Sequence, residues 1–548
     1  MNATEASAPT RVRSPAATLL VAGIVLAALT EAIAGTVLSL GRADMIGDTH
    51  ATPDEFAWLD TAYTALKFAG FMAAAPLLDR IGPRGLVIAA TLCMGAACAL
   101  AAGTDHLDLL VALRAVQGFS GGVLLVAGQA LIFLALPRRQ QPILQAVFAM
   151  GAVVTPATIA PALQGWLIDS LSWTWIFFTV VPLALAAAGL LLAADHLVHT
   201  ATSRRPVDWF GLSLVTAALF CLTYVFGQGS RWDWFEEPRI VWLTVAGTAA
   251  LLAFVGQQML AGDRRLVAAG LFLSDDFCFA FAVSFVAGAA LFGSAYLIPA
   301  FAVSVLSFTP TDAGQLLLPS SGLFLASLLL AAWLMQARHV PPIATVPFGI
   351  LLIMLAMWML SGSTGESGMD DMMSAILLRG LGLGFLFLSI TLVAFTRLED
   401  RNLATGIGLF NAGRQLGGLM GVAALQTMIT DNVAGNLAVL AANVTSGDPA
   451  VTERLGATAA LLAAHGLDAA SAARVAAGLL GKSVAGQSAV IAFDTAFLAV
   501  SLLFVIAAPI LVTIKIGLAR HPGAPTGEPG KRGARRAARP ADDECVEI

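Results

Sequence analysis

Long apolar runs recur along the whole chain, and that recurrence limits what it can fold into more than any other feature. A membrane-crossing helix needs roughly 20 consecutive, mostly apolar residues. Fourteen stretches satisfy this: about 16–40, 56–78, 86–103, 107–134, 143–168, 174–194, 210–228, 240–260, 277–301, 313–335, 343–361, 372–396, 403–430 and 489–514. Inside a bilayer the backbone must bond within its own segment, so such runs are helices. Only 12% of the 548 residues are charged and 58% are hydrophobic, whereas soluble domains carry about 25% charged residues. The expected fold class is an all-α integral membrane protein with 14 transmembrane helices.

Basic residues orient the chain. With the N-terminus inside, the cytoplasmic segments hold Arg11, Arg13, Arg80, Arg84, Arg138, Arg139, Arg204, Arg205, Arg264, Arg265, Arg338, Arg397 and Arg401, and the tail adds seven more from Lys515 to Arg539. The short outer loops hold Arg42, Arg231 and Arg239. That asymmetry predicts cytoplasmic N- and C-termini and a multi-pass protein of the cell inner membrane. The first run continues to Leu40 without a small-residue cleavage site, so it reads as a retained span rather than a signal peptide. Residues 431–488 form one long alanine-rich outer stretch in which Val451–His465 and Asp468–Leu480 have helical composition. It reads as a solvated helical cap or as a docking surface for a periplasmic adaptor. The tail 516–548, rich in Arg, Pro and Gly, reads as disordered, and membrane lipid is its expected neighbour.

Charges inside the runs are the chemically informative residues. Arg114 lies within Leu107–Leu136. A guanidinium does not shed its proton, so it needs a partner, water or a protein-lined cavity. Glu31 sits midway along the first run, and Asp60 and Lys67 share one face of the second. Asp60 is near the outer end, where water can reach it; Lys67 is deeper and calls for a carboxylate. A buried carboxylate whose distance from a cation changes with conformation is a proton switch. Glu31, Asp60, Lys67 and Arg114 are therefore the proton-coupling candidates. Arg379 reads as structural, and Asp494 as an interfacial or capping residue near the start of the last run. Glycines four residues apart mark close helix contacts: Gly118 and Gly122, Gly380 and Gly384, then Gly413, Gly417 and Gly421 beside Arg414. Pro156 and Pro161 should kink the fifth run.

Several motifs, in order, resemble the major facilitator superfamily. Ala75-Pro76-Leu77-Leu78-Asp79-Arg80-Ile81-Gly82-Pro83-Arg84 is similar to its inner-loop motif, with Ala75 and Pro83 in place of glycine and arginine. The resemblance implies a gating latch built from Asp79, Arg80, Gly82 and Arg84. Arg114-Ala115-Val116-Gln117-Gly118 resembles the fourth-helix motif linked to proton coupling. Ala160-Pro161-Ala162-Leu163-Gln164-Gly165, then Trp173-Thr174-Trp175-Ile176-Phe177 and Pro182, resemble an eroded antiporter signature that includes the packing residues Pro161 and Gly165. Fourteen spans, Glu31, Asn411-Ala412-Gly413-Arg414-Gln415-Leu416-Gly417-Gly418 and the long outer stretch narrow the likeness to the drug:proton antiporter-2 group, the EmrB-like multidrug efflux type.

That resemblance implies an N-terminal six-helix bundle in 1–200 and two inserted helices in 201–265 outside the transport core. A C-terminal six-helix bundle would occupy 266–515, and the two halves would rock about a midplane cavity. The expected function is a proton-coupled exporter of small amphipathic compounds or drugs. Tyr63, Gln117, Phe119 and Arg414 are candidates for the substrate cavity. Lys67, unexpected in the general pattern, motivates an alternative: a dedicated exporter of one metabolite such as a siderophore or a lipid-like anion. A non-transporting sensor or scaffold is the reading from another class, disfavoured because a scaffold gains nothing from intramembrane charge. No metal-ligand spacing, nucleotide loop or nucleophile–base pattern stands out, so an enzyme, a metal site, a cofactor and a nucleic-acid partner are not expected. The proton gradient is the expected energy source.

Overall fold

The computed structural model describes residues 15–520 except 39–40, 195–207, 263–264, 268–270, 272–273, 397 and 446. Arg11, Arg13, Arg204, Arg205, Arg264, Arg397 and the expected tail beyond 520 lie outside the described residues. The described residues are mostly helical, with no strand among them.

The helices are α1 (Pro15–Thr36), α2 (Arg42–Thr49), α3 (Pro53–Ile81), α4 (Pro83–Ala101), α5 (Leu107–Ala135), α6 (Gln141–Ala149), α7 (Ala160–Ser170), α8 (Thr174–Ala193), α9 (Trp209–Gln228) and α10 (Pro238–Leu260). They continue as α11 (Asp275–Ser304), α12 (Pro310–Gln315), α13 (Leu318–Ala337), α14 (Val346–Leu360), α15 (Met369–Phe395), α16 (Asp400–Asn443), α17 (Pro449–Ala464) and α18 (Ala469–Arg520). By length and apolarity, eleven of these segments can cross a membrane, or twelve if the bent pair Arg138–Ala157 and Ala160–Ser170 counts as one span. The expected count of fourteen is not reached by that test. The two expected spans outside it are α3 and α16, whose polar residues include Lys67 and Arg414.

Local sequence sets the helix ends. Thr52 accepts from the Glu55 N–H while Glu55 accepts from the Thr52 N–H, and Pro53 opens α3. Gly82, at φ 83°, ends α3 and starts α4 in one residue, a conformation that favours glycine. Between α6 and α7 the chain forms a π-helix over Met150–Ile159, with Pro156 inside it, and the span bends by 47°. The missing proline N–H accounts for the loosened backbone there.

Two groups of helices pack within themselves. In the first, α1 lies on α5 and α8, α4 on α5 and α8, and α3 on α5. In the second, α11 lies on α15, α16 and α18, and α15 on α13 and α14. Helices α9 and α10 pair with each other, and α9 rests on α3, where Trp58 lies against Tyr224 at 4.8 Å between rings. The outer stretch differs from a separate cap. Helix α16 runs through to Asn443 and α18 starts at Ala469, so both continue past their apolar runs, with α17 folded against α18. Asp494 is consequently well inside α18, not at a helix start, and its Oδ1 is buried with no partner among the described residues.

Candidate coupling cluster and central cavity

Glu31 is the hub of the buried charge. Its Oε1 accepts from the Tyr63 hydroxyl at 2.8 Å and from the Lys67 ammonium at 2.5 Å. The Lys67 side chain is 13% exposed and that of Glu31 only 3%, so the pair is almost withdrawn from water. Tyr63 and Lys67 are one helical turn apart on α3, which points both at the same carboxylate.

Arg114 does not pair with Glu31. It donates Nη1 to the Ala34 carbonyl at 2.7 Å and to Gln117 Oε1 at 3.1 Å, and its guanidinium lies 4.1 Å from the Tyr63 ring centroid. Ala34 is in the last turn of α1, where carbonyls lack helical partners and the dipole favours a cation. Gln164, standing where the antiporter pattern has glycine, donates to the neighbouring Ile33 carbonyl at 3.1 Å and to Thr36 Oγ1 at 2.8 Å. Arg114 and Gln164 together cap α1. Arg114 keeps Nε and Nη2 buried and unpartnered, and a cation held this way depends on the Tyr63 face and on nearby negative charge.

The helices carrying this cluster touch through glycine. A Cβ on Gly118 would overlap the Tyr63 carbonyl, and one on Gly122 would overlap the Lys67 carbonyl. The other marked glycines do similar work: Gly417 faces the Phe285 carbonyl, Gly421 faces Ala289, and Gly413 faces the Phe281 ring. Gly165 is buried in α7. Asp60 is exposed and makes no ion pair among the described residues. In the inner turn, Arg84 donates Nε to the Leu191 carbonyl at 2.8 Å and Nη2 to the Leu192 carbonyl at 2.9 Å, capping α8. Asp79 is half-buried and Arg80 exposed at the end of α3.

A cavity of about 480 Å³ lies between the two groups, toward the C-terminal ends of α1 and α11. Its wall includes Val153, Pro156 and Pro161 on one side and Phe292, Tyr296 and Arg414 on the other. Of the expected cavity residues, Arg414 lines it. Tyr63 and Gln117 are buried in the charged cluster instead, and Phe119 packs against the apolar core. Arg414 donates Nη2 to Asn411 Oδ1 at 2.6 Å; Asn411 Nδ2 reaches Gln129 Oε1 at 3.4 Å, and Gln129 Nε2 donates to Gln145 Oε1 at 3.1 Å. This amide chain joins α16 to α5 and α6 across the seam. Gln129 and Gln145 are not among the residues expected from the sequence; uncharged amides inside apolar runs were the available signal. The seam is also bridged by Gly408 against the Phe71 carbonyl and by a Thr311–Asp169 hydrogen bond.

The model of the Major Facilitator Superfamily matches residues 20–422. The multidrug export protein EmrB of Escherichia coli K12 is 25% identical over 427 residues, 77% of this chain and 82% of that protein. The fatty acid resistance protein FarB of Neisseria gonorrhoeae is 24% identical over 491 residues, 89% and 94% of the two chains. Among solved structures, the human organic anion transporter MFSD10 shares the fold with a TM-score of 0.56 at 13% identity, covering 91% of this chain and 100% of that one. On helices, cavity and sequence together, this chain belongs to the major facilitator superfamily and is a multi-span membrane transporter.

Proposed function

We propose that this transporter is a proton-coupled exporter of small amphipathic compounds, with Glu31 as the proton carrier. The observation that carries the reading is the Tyr63–Glu31–Lys67 contact, a titratable pair almost sealed from water. Even at about 4 Å, farther apart than this pair, two charges at an effective dielectric of 20 interact by roughly 4 kcal/mol. Protonating Glu31 removes that attraction and leaves Lys67 charged, enough to move a two-state equilibrium by about a thousandfold. The pair joins α1 to α3, so a proton acts on how these helices sit beside α5. Arg114, fixed to the end of α1 and stacked on Tyr63, holds the frame in which that exchange happens.

In this reading residues 1–200 and 266–515 are the two moving halves, the helices of 201–265 are an inserted pair, and the Asp79–Arg84 turn is the inner latch. The protein resides in the inner membrane with both termini cytoplasmic. Export and drug-like substrates are supported by the name of the EmrB relative, a multidrug export protein. Reconstituted protein should move amphipathic compounds faster when a pH gradient is imposed. Flux indifferent to the gradient across a panel of cationic, neutral and anionic compounds overturns the proposal. Exposed apolar residues on the outer extension, among them Val439, Leu461 and Leu479, favour a periplasmic adaptor at 431–488. Deleting 440–485 should then abolish cellular resistance and spare vesicle transport; unchanged resistance rejects docking.

A further inference from the structure

We propose that Arg414 is the substrate's recognition group: it holds the head of a single-chain amphipathic carboxylate whose tail lies in the cavity along α11. This deepens the exporter reading and rests on it for the word substrate. Among the residues lining the 480 Å³ cavity, Arg414 is the one that carries a charge. That volume lies in the range of small-molecule sites. The remaining wall is apolar or aromatic apart from Thr36 and the Tyr296 hydroxyl.

Arg414 differs from the other two intramembrane arginines in what its donors do. Arg114 has Nε and Nη2, and Arg379 has Nη1, buried with no partner. No nitrogen of Arg414 is sealed in that way, although its one hydrogen bond among the described residues goes to Asn411. A guanidinium has five N–H donors, so most of this fork is left for the cavity and for the two small voids of about 20 and 10 Å³ that Arg414 also borders. No described carboxylate is ion-paired with it. Glu31 acts on it through space but is bonded to Tyr63 and Lys67. The Phe387 ring, 5.2 Å from the guanidinium carbon, supports its plane. A half-buried, planar, permanent cation at the edge of an apolar chamber suits a carboxylate, which accepts two parallel N–H bonds from one arginine. Lys67, the other cation considered for an anion, is already occupied by Glu31.

The test is equilibrium binding at one fixed pH, with no gradient, to protein in phosphatidylcholine nanodiscs. The probes are decanoate, decanol and decyltrimethylammonium, which share a tail and differ in head. Wild type should bind decanoate at least about tenfold tighter than decanol. Arg414→Gln should lose that preference while still binding decanol, which also shows that the variant is folded. Arg414→Lys should keep part of it, as a point charge without the fork. Equal affinity for the three heads, or a decanoate preference intact in Arg414→Gln, overturns the proposal. So does displacement of decanoate when phosphatidylglycerol enters the disc, because the occupant would then be a lipid headgroup. Because no gradient is used, absence of proton-driven flux would count against the exporter reading alone.

Discussion

Helices α5 and α15 are built alike and serve different chemistry. Each buries an arginine beside glycines spaced four apart. Gly118 and Gly122 press α5 onto the Tyr63 and Lys67 carbonyls of α3. Gly380 and Gly384 press α15 onto Ser320 and Phe324 of α13. Arg114 and Arg379 are both fully buried, and each reaches to the helix on its far side: Arg114 to the Ala34 carbonyl, Arg379 to Ser294 Oγ at 2.7 Å. What differs is the surroundings. Near Arg114 stands the Glu31–Lys67 pair; the partners of Arg379 are the Ser294 hydroxyl and the Leu291 carbonyl. The comparison teaches that a buried arginine ties neighbouring helices together in both groups, whereas a buried carboxylate stands in one of them, where the proposed coupling places the proton.

The comparison can be broken or sharpened by substitution. The largest effect is expected at the glycines. Gly118→Val and Gly380→Val each force a side chain into a backbone carbonyl, beyond the roughly 1–3 kcal/mol typical of core overpacking. Both should abolish monodisperse protein in detergent. If one half tolerates valine, the packing is not shared.

Removing charge should then separate the halves. Lys67→Met leaves Glu31 buried without its cation and should cost about 3 kcal/mol, read as a lowered melting temperature. The double variant Glu31→Gln with Lys67→Met should recover most of that loss. Ser294→Ala beside Arg379 should cost about 1–2 kcal/mol, with gradient-driven flux retained. A proton-coupling defect in Ser294→Ala would erase the distinction. Smaller again is Gln129→Leu, which cuts the amide chain to Asn411 and Gln145; stability should fall by about 1 kcal/mol and turnover should change more than substrate affinity. Unchanged turnover would mean that the bridge is not part of the moving seam. Least of all, Gly456→Ala on exposed α17, where nothing lies within 4 Å, should stabilise the extension by up to about 1 kcal/mol, seen as slower hydrogen exchange there.

Much of the fold was legible because the bilayer allows so few solutions. Apolar runs located the long helices, of which eleven or twelve can cross a membrane by length and apolarity, and glycine pairs located the close contacts. The limits of that signal are physical. Helix α16 ends at Asn443 and α18 begins at Ala469, because alanine-rich polar sequence continues a helix in water as readily as leucine does in lipid. Asp494 therefore does not cap α18, which begins 25 residues earlier at Ala469. The need of Lys67 for a carboxylate was readable from its depth, but the identity of that carboxylate was not. Glu31 and Lys67 are 36 positions apart, and helix rotation about each axis decides who meets. Arg114 called for a partner, water or a protein-lined cavity, and its partners are the Ala34 carbonyl at the end of α1 and Gln117; a free backbone carbonyl is invisible in side-chain sequence. The amides Gln129 and Gln145 carry no charge and so raised no flag, although they hold the seam; Gln164 stood out only as a departure from glycine, not as the group that caps α1.

The most direct test of the central claim is the Glu31→Gln variant in proteoliposomes with an imposed pH gradient, measured beside wild type for both substrate accumulation and gradient-free counterflow. The account predicts that the variant still binds and exchanges substrate but accumulates none in response to the gradient. Gradient-driven accumulation at the wild-type level in Glu31→Gln would contradict it.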